Sequence, residues 1–228
     1  MSFLKYFREE VKVIRDRDPA IHSDFEALLY SSFWAVYWYR KAHNLYLKKH
    51  YFLARLLSQH AARRTGIEIH PGAEIGEGFF IDHGSGVIIG ETTIIGKNVT
   101  LFQGVTLGGT GKEQGKRHPT IGDNVMISAG AKVLGSFKIG NNSKIGAGSV
   151  VLKEVPENST VVGVPGRVVK QEGVHIPSAE LNQIDLPDPV KDDLTQLKHA
   201  DSELTNHILE LEQKVRELER ELEERKEQ

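Results

Sequence analysis

The sequence predicts a mainly β protein: a parallel β-helix preceded by a small α-helical domain and followed by a C-terminal coiled-coil helix. Three patterns indicate this fold. Aliphatic residues recur at every sixth position between Ile69 and Val151, apolar and aromatic residues before them recur at helical spacing, and a heptad pattern ends the chain. The predicted helical domain, β-helix, linker and coiled coil span, in that order, 1–66, 67–170, 171–189 and 190–228.

The first 66 residues have the spacing of α-helices. Phe3, Tyr6 and Phe7 form a loose apolar stripe, and aromatic residues recur through the stretch SSFWAVYWYRKAHNLYLKK. We interpret these aromatic residues as core packing rather than as a ligand-binding box. Asp18 before a proline is typical of a helix start, and Gly66 after two arginines is typical of a helix end.

A period of six residues excludes a helix, whose faces recur every 3.6 residues, and a flat strand, which alternates every two. A coil with three short sides explains it, because each side points one branched residue inward before a tight corner. The thirteen residues on this period are aliphatic except for Thr93: Ile69, Ile75, Ile81, Val87, Thr93, Val99, Val105, Ile121, Ile127, Val133, Ile139, Ile145 and Val151. We expect the coil to end near Val151, because Pro156 and Pro165 follow.

One coil of three such sides places each residue over the one eighteen positions later. Ile127 should therefore lie under Ile145, with Ala129 under Ala147 and Gly130 under Gly148. The stacked small residues would leave a shallow wall of accessible backbone amides. They are either corner residues alone or a groove against which a thin ligand arm lies, and the sequence leaves both open.

The period is interrupted between Val105 and Ile121, which lie sixteen residues apart. The extra residues do not fit inside a coil, so we expect them to leave it as a loop that ends in Arg117, His118 and Pro119. A loop on a rigid scaffold often carries function, and a neutral insertion is the alternative. The loop is not a P-loop, because Lys112 is not followed by Ser or Thr.

The composition excludes several functional classes. A net charge of -2 over 228 residues gives no global attraction to nucleic acid or to an anionic membrane. No apolar run approaches the ~20 residues of a membrane span, and the first residues lack the apolar segment of a secretory signal. The chain has no cysteine for disulfides or for zinc ligation. We expect a cytoplasmic protein with no nucleic-acid or membrane partner.

The last forty residues follow a heptad pattern that predicts a coiled coil. The d positions are mostly leucine, and the a positions are Leu194, Asp201, Ile208, Val215 and Leu222. Ile and Val at a with Leu at d favour two strands. A solvated single helix is the alternative.

Three histidines fall within the β-helix: His70, His83 and His118. Histidine is the side chain best suited to accept a proton near neutral pH, and a carboxylate on its other nitrogen would fix its tautomer. Glu68, Asp82 and Glu91 are candidates for that carboxylate, and the residues alone do not choose among them. A zinc site of three histidines is the rival use, and we expect no metal.

Several motifs resemble the bacterial serine O-acetyltransferases, a hexapeptide-repeat family with a left-handed β-helix. The resemblance covers about residues 15 to 170, and its motifs are RDPA (17–20), IHPGAEIG (69–76), IDHGSGVIIGET (81–92), VTLGGTGKEQGKRHPTIGDNVMISAGAKVLG (105–135), KIGAGSVV (144–151) and GVPGRVV (163–169). The left hand is implied by the resemblance alone, because about 98% of parallel β crossovers are right-handed.

The resemblance implies transfer of acetyl from acetyl-CoA to the hydroxyl of L-serine, giving O-acetyl-L-serine and CoA, the first step of cysteine biosynthesis. It implies His83 as general base, Glu68 as its carboxylate partner and His118 as an assisting group at the hydroxyl or the oxyanion. Among the substrate-binding residues, Asp82 would hold the amino group of serine and Arg117 its carboxylate, and Asp18 would reach the same pocket from the helical domain. Acetyl-CoA, a co-substrate rather than a resident cofactor, would lie along Gly109, Ala129, Gly130, Lys144 and Ala147.

The family also implies a homotrimer with active sites between subunits. The helical domain is shorter than in hexameric forms, so we expect a single trimer with three-stranded pairing of the tails; pairing between trimers is the alternative. Relatives that bind cysteine synthase use a tail ending in isoleucine, whereas this chain ends in Lys226, Glu227 and Gln228, so we do not expect that complex.

Two other functions remain open at this point. One is a hexapeptide acetyltransferase that acts on a sugar or antibiotic hydroxyl, and the other is a non-catalytic β-helical scaffold. Asp82 and Arg117 favour an amino acid over a sugar, because they offer opposite charges to a zwitterion.

Overall fold

The structure is a computed structural model that describes residues 2–111, 114–171 and 189–226. The chain divides into two compact units, Met1–Pro187 and Asp188–Gln228. Most of the linker predicted for residues 171–189 lies outside the described residues.

The N-terminal region is helical, as predicted. Its elements are helix α1 (Phe3–Arg15), a 3₁₀ helix (Asp24–Leu29), helix α2 (Ser31–Leu47) and helix α3 (Tyr51–Thr65). Aromatic side chains join α1 to α2, and the buried Tyr6 hydroxyl donates a hydrogen bond to the Phe33 carbonyl over 2.6 Å. Phe33 is fully buried, so core packing is the role of this aromatic cluster.

The two predicted helix boundaries have different outcomes. Helix α3 ends as predicted, because Gly66 adopts a left-handed φ of 71° and its N–H bonds the Ala62 carbonyl over 2.9 Å. The helix start predicted at Asp18 is wrong. Its carboxylate instead accepts hydrogen bonds from the Ala20 N–H and the Tyr30 hydroxyl, which closes a turn between α1 and the 3₁₀ helix.

The central region is a left-handed parallel β-helix, which confirms the predicted fold class. Its strands are β1 (Glu68–Ile69), β2 (Glu74–Ile75), β3 (Phe80–Ile81), β4 (Ile88–Ile89), β5 (Ile94–Ile95), β6 (Thr100–Leu101), β7 (Thr106–Gly108), β8 (Thr120–Ile121), β9 (Met126–Ile127), β10 (Lys132–Leu134), β11 (Lys138–Ile139), β12 (Lys144–Ile145), β13 (Val150–Val151), β14 (Ser159–Val162) and β15 (Arg167–Gln171). They form sheet A (β1-β4-β7-β10-β13), sheet B (β2-β5-β8-β11) and sheet C (β3-β6-β9-β12-β14, with β15 antiparallel to β14).

The predicted period of six is correct, but its phase shifts by two residues after β3. Ile81 pairs with Leu101, twenty residues later, whereas Ile127 pairs with Ile145, eighteen residues later. The corner at His83 therefore contains two extra residues. As a consequence, four residues that the period of six predicts within strands instead lie at the corners just before strands. Their side chains are still fully buried: Val87, Thr93, Val99 and Val105.

The β-helix extends beyond the predicted end at Val151. Strand β14 pairs in parallel with β12, and Val155 bridges to Ile139. Val155 pairs with Ile139 and Val161 pairs with Ile145, and both valines are buried. They therefore continue the stack of inward aliphatic residues beyond Val151.

Three corners join the three sheets, and we name them for use below. The glycine corner (sheet C to sheet A) contains Gly86, Gly104, Gly130 and Gly148, all with positive φ. The loop corner (sheet A to sheet B) contains residues 90–92 and the described loop residues 109–111 and 114–119. The asparagine corner (sheet B to sheet C) contains Asn98, Asn124, Asn142 and Asn158. All four have a left-handed φ, which asparagine tolerates. Each side chain donates a hydrogen bond to the next asparagine along the corner, over 3.0–3.3 Å.

Helix α4 (Pro189–Lys226) forms the second unit. A C-terminal helix was predicted, while its pairing as a coiled coil stays a prediction. The described apolar side chains of the heptad positions are all exposed: Leu194, Leu197, Leu204, Ile208, Leu211 and Val215. In the described part of the chain, none of the helices combines the length and apolarity needed to cross a membrane.

Candidate active site

The glycine corner presents His83 on a tight turn after β3. His83 has a φ of 56°, and the N–H groups of Gly84 and Ser85 bond the carbonyls of Asp82 and His83, each over 2.7 Å. A left-handed φ is uncommon for a non-glycine residue and marks a turn with a special demand. The turn leaves 77% of the imidazole side chain exposed, with Nε2 3.8 Å from Asp82 Oδ1.

A second carboxylate lies beside Asp82. Burial raises the pKa of the Asp82 carboxyl, His83 opposes the rise, and the charge of Asp18 adds to it. Tyr30 belongs to the same cluster, since its hydroxyl donates to Asp18, and burial with that bond raises the pKa of Tyr30. Two carboxylates whose charges interact create a site suited to an ammonium group.

The loop corner presents Arg117. Its guanidinium donates to Glu91 Oε2, and the Tyr46 hydroxyl donates to Glu91 Oε1 over 3.0 Å. Burial alone would raise the pKa of Glu91, but the hydrogen bonds from Arg117 and Tyr46 hold it below its ordinary value. Glu91 is therefore an ionised support that orients Arg117, and a guanidinium held in this way suits a carboxylate ligand.

His118 is held next to Arg117 by Thr92. His118 Nδ1 lies 2.9 Å from Thr92 Oγ1 and accepts the Thr92 N–H over 3.2 Å. Burial and then the charge of Arg117 lower the pKa of His118. Lys116 closes the loop, because its ammonium donates to the carbonyls of Thr92, His118 and Pro119 over 2.6–3.1 Å.

The predicted site residues thus form two groups on one chain. Asp18, Asp82 and His83 lie at the glycine corner, while Arg117 and His118 lie at the loop corner. Sheet A separates these two edges of the prism. Within one chain, no hydrogen bond or ion pair among the described residues joins the two groups.

Glu68 lies outside both groups. It accepts hydrogen bonds from Arg55 Nη2 and Gln59 Nε2, both over 3.4 Å, and the ion pair of His83 is with Asp82. A pairing of Glu68 with His83 stays a prediction.

The stacked wall predicted from the small residues is present at the glycine corner. Ile127 pairs with Ile145, and the Gly148 N–H bonds the Ala129 carbonyl over 2.8 Å. A Cβ on Gly130 or Gly148 would meet no atom within 4 Å, so the wall is open to a ligand.

Two other predicted acetyl-CoA contacts flank this region. Lys144 lies on β12, whose far end leads to Ala147 at the corner. Gly109 begins the loop, where a Cβ would lie 3.1 Å from the Arg117 carbonyl oxygen. Their roles stay predictions.

Sequence reasoning missed Tyr30, Tyr46 and Thr92. The two tyrosines reach the site from the helical domain, and nothing in their local sequence indicates that. Thr92 directly follows Glu91, a candidate site residue, and this position could have indicated that Thr92 belongs to the site. Among the described residues, no group of three histidine or acidic side chains is placed to hold a metal ion.

The fold and the histidine-bearing corners define a hexapeptide-repeat acyltransferase. The family described as bacterial transferase hexapeptide (six repeats) matches residues 118–153. The serine acetyltransferase of Bacillus licheniformis is 59% identical over 96% of this chain and 98% of its own, and that of Bacillus subtilis is 56% identical over 99% and 97%. A crystal structure of the Neisseria gonorrhoeae serine acetyltransferase in complex with serine aligns with a TM-score of 0.70 at 45% identity, over 73% of this chain and 69% of that chain. This chain belongs to the serine acetyltransferase family.

Proposed function

We propose that the chain transfers acetyl from acetyl-CoA to the hydroxyl of L-serine in sites shared by neighbouring subunits of a homotrimer. The observation that supports this is the separation of the two groups of site residues on different corners of one prism. Around a threefold axis, the glycine corner of one copy faces the loop corner of the next, because each copy uses the same two surfaces. The assembly then completes three identical sites.

Serine fits the charges of the two corners. The carboxylates of Asp18 and Asp82 take its ammonium group, and Arg117, oriented by Glu91, takes its carboxylate. Serine is the ligand in the gonococcal structure. A sugar hydroxyl offers neither charge, so this arrangement favours an amino-acid acceptor.

The reaction needs one proton acceptor near the serine hydroxyl. His83 takes the hydroxyl proton as serine Oγ attacks the thioester carbon, whose carbonyl oxygen becomes an oxyanion. The C–S bond then breaks, the carbonyl re-forms, and the CoA thiolate takes the proton from His83. The products are O-acetyl-L-serine, which leads to cysteine, and CoA.

Acetyl-CoA is proposed to lie along the glycine corner. Gly130 and Ala147 are exposed and Ala129 is half-buried, which lets a narrow chain approach the corner that carries His83. Lys144 supplies a positive charge for the phosphates, and Gly109 offers a backbone contact at the base of the loop.

Subunit mixing tests the shared site. His83→Ala and Arg117→Ala remove one group each, so each variant alone should lose nearly all serine acetylation. After co-expression, a site formed by the intact glycine corner of one subunit and the intact loop corner of the next is complete. Random mixing should restore about a quarter of the wild-type activity, because a site needs one subunit of each kind in a fixed order.

The control for this experiment is a double variant that carries both substitutions in one chain, mixed with wild type. This control distinguishes complementation from simple dilution. In a shared site, each double-variant chain inactivates both sites to which it contributes. Full inactivity of the mixed single variants, with trimers confirmed by mass, would contradict a site shared between subunits. Unchanged activity of His83→Ala would contradict the mechanism itself.

We also propose that the tail serves self-association. The exposed apolar heptad residues of α4 support this. Leu204→Asp, at a d position, should then lower the thermal midpoint of the tail, and an unchanged midpoint would contradict self-association.

A further inference from the structure

Thr92 makes four hydrogen bonds to Arg117 and His118 at the foot of the loop, and together they determine which nitrogen of the His118 ring carries the hydrogen. Its hydroxyl oxygen accepts the N–H groups of Arg117 and His118 over 3.0 and 3.1 Å. The same oxygen lies 2.9 Å from His118 Nδ1, and the backbone N–H of Thr92 points to that nitrogen over 3.2 Å.

A threonine hydroxyl has two lone pairs and one hydrogen. Two backbone N–H groups use the lone pairs of Thr92 Oγ1, so only its hydrogen remains for Nδ1 of His118. The backbone N–H of Thr92 can only donate as well. His118 Nδ1 is therefore an acceptor, and the neutral ring carries its hydrogen on Nε2.

The surroundings of His118 also oppose a second proton on the ring. Burial and the adjacent Arg117 charge lower the pKa of His118, and Lys116 acts in the same direction, while Glu91 opposes them. The ring therefore stays neutral into mildly acidic conditions. A neutral ring of this tautomer offers one donor, Nε2–H.

We propose that Thr92 is a positioning residue that holds His118 as a fixed Nε2–H donor, so that His118 donates a hydrogen bond during acetyl transfer and accepts no proton. This consequence for catalysis rests on the proposed function. The serine proton goes to His83 alone. The Nε2–H of His118 donates a hydrogen bond to the oxyanion as it forms. The hydrogen stays on the ring throughout, and the hydrogen bond is lost when the C–S bond breaks and the carbonyl re-forms.

Nitrogen NMR of the full chain, labelled with ¹⁵N-histidine, tests the state of the ring directly. At neutral pH, Nδ1 of His118 should resonate as an unprotonated nitrogen and Nε2 as a protonated one. The loss of this pair of signals in His118→Asn assigns them. A protonated Nδ1 would overturn the proposal. This measurement needs no substrate, so it stands even if serine is not the acceptor.

Kinetics of Thr92 variants test the consequence. Thr92→Val removes the hydroxyl and keeps the side-chain shape, and it should lower kcat about tenfold and let a protonated Nδ1 population appear. Thr92→Ser restores the hydroxyl and should recover both. Unchanged kcat in Thr92→Val, or a loss that Thr92→Ser does not recover, would overturn the positioning role.

The adjacent residue provides a matched control. The hydroxyl of Thr93 is buried without a hydrogen-bond partner among the described residues. Thr93→Val removes it one residue away from the site, and kcat and the NMR signals of His118 should not change. Equal kinetic losses in the two valine variants would show a general effect on the corner and would overturn the proposal. Absence of serine turnover in the wild type would contradict the proposed function instead.

Discussion

The imidazole of His118 occupies the space that a side chain on Gly90 would need. A Cβ on Gly90 would lie 2.0 Å from Cδ2 and 2.2 Å from Nε2 of that ring, far inside van der Waals contact. Gly90 does not have a positive φ, so its backbone accepts other residues. Position 90 therefore requires glycine because the His118 ring fills the space that any side chain would occupy.

Gly90→Ala should therefore inactivate the enzyme through His118. The methyl group displaces the ring, so kcat should fall to the level of His118→Ala. In the double variant the ring is absent and the methyl group fits, so kcat should fall no further and the thermal midpoint should recover. Steady-state kinetics and thermal unfolding of the four proteins measure this cycle. Losses that simply add would show that Gly90 acts on something other than His118.

Glu91→Gln should weaken serine binding more than it slows the chemistry. The substitution removes the charge that orients Arg117, so KM for serine should rise about tenfold while kcat changes little. Tyr46→Phe, which removes one hydrogen bond to Glu91, should give a smaller rise in the same direction. The exposed Glu77→Gln serves as the control and should leave KM unchanged. A fall in kcat alone would contradict the orienting role.

The pKa of Glu91 gives a pH dependence for this binding. Hydrogen bonds from Arg117 and Tyr46 lower the pKa of Glu91, so Glu91 loses its charge only below the ordinary glutamate range. The contribution of that charge to serine binding is lost over the same pH range. The contribution of Glu91 to KM should therefore persist through the ordinary glutamate range, whereas protonation of Asp82, whose pKa burial raises, should increase KM at acid pH in wild type and variant alike. In Tyr46→Phe the pKa of Glu91 should move up, so the rise in KM should begin at a higher pH than in wild type. Identical profiles would contradict this.

Glu10 makes the fold less stable as the pH rises. Burial raises the pKa of this carboxyl from 4.5 to about 7, although the charges of Arg40 and Arg17 oppose the shift. The unfolded chain releases this proton near pH 4.5, so the native state loses stability between about pH 4.5 and 7, by about 3 kcal/mol in total. Glu10→Gln should raise the thermal midpoint at pH 8 and change it little at pH 4.5. An equal effect at both values would exclude a role of ionisation.

The sequence predicted the β-helix because its physical cause is local. One branched residue on each short side gives a period that no other element produces, and Ile127 and Ile145 stack as expected. The shift of phase at His83 was not predictable, because Val87 and Ile89 are both buried and either fits the pattern. The asparagine ladder at the third corner follows from residue type, since Asn98 and Asn124 adopt a left-handed φ.

The site was predicted less completely than the fold. His83, Asp82, Arg117 and His118 stand out because charged residues interrupt an apolar repeat, yet their division between two corners appears only in the strand order. Tyr46 reaches Glu91 across 45 residues of chain, and such long-range contacts leave no local pattern.

The tail is expected to join three chains, and Asp201 allows this to be tested. Asp201 occupies an a position of the heptad, so a three-stranded coil brings three carboxylates into one layer, which opposes assembly. Asp201→Ile should therefore raise the thermal midpoint of the tail. Ser202→Ile adds the same side chain at a b position outside the seam and should not.

Light scattering then identifies the assembly. Wild type and both variants should have the mass of three chains, because the tails of one trimer pair with each other. A mass of six chains would show that tails pair between trimers, and equal thermal shifts in the two variants would show that Asp201 does not lie in a seam. Deletion of residues 189–228 should leave serine turnover intact, since the described site residues all belong to the first unit. If turnover also fell, while the mass stayed that of a trimer, the tail would have a role beyond assembly.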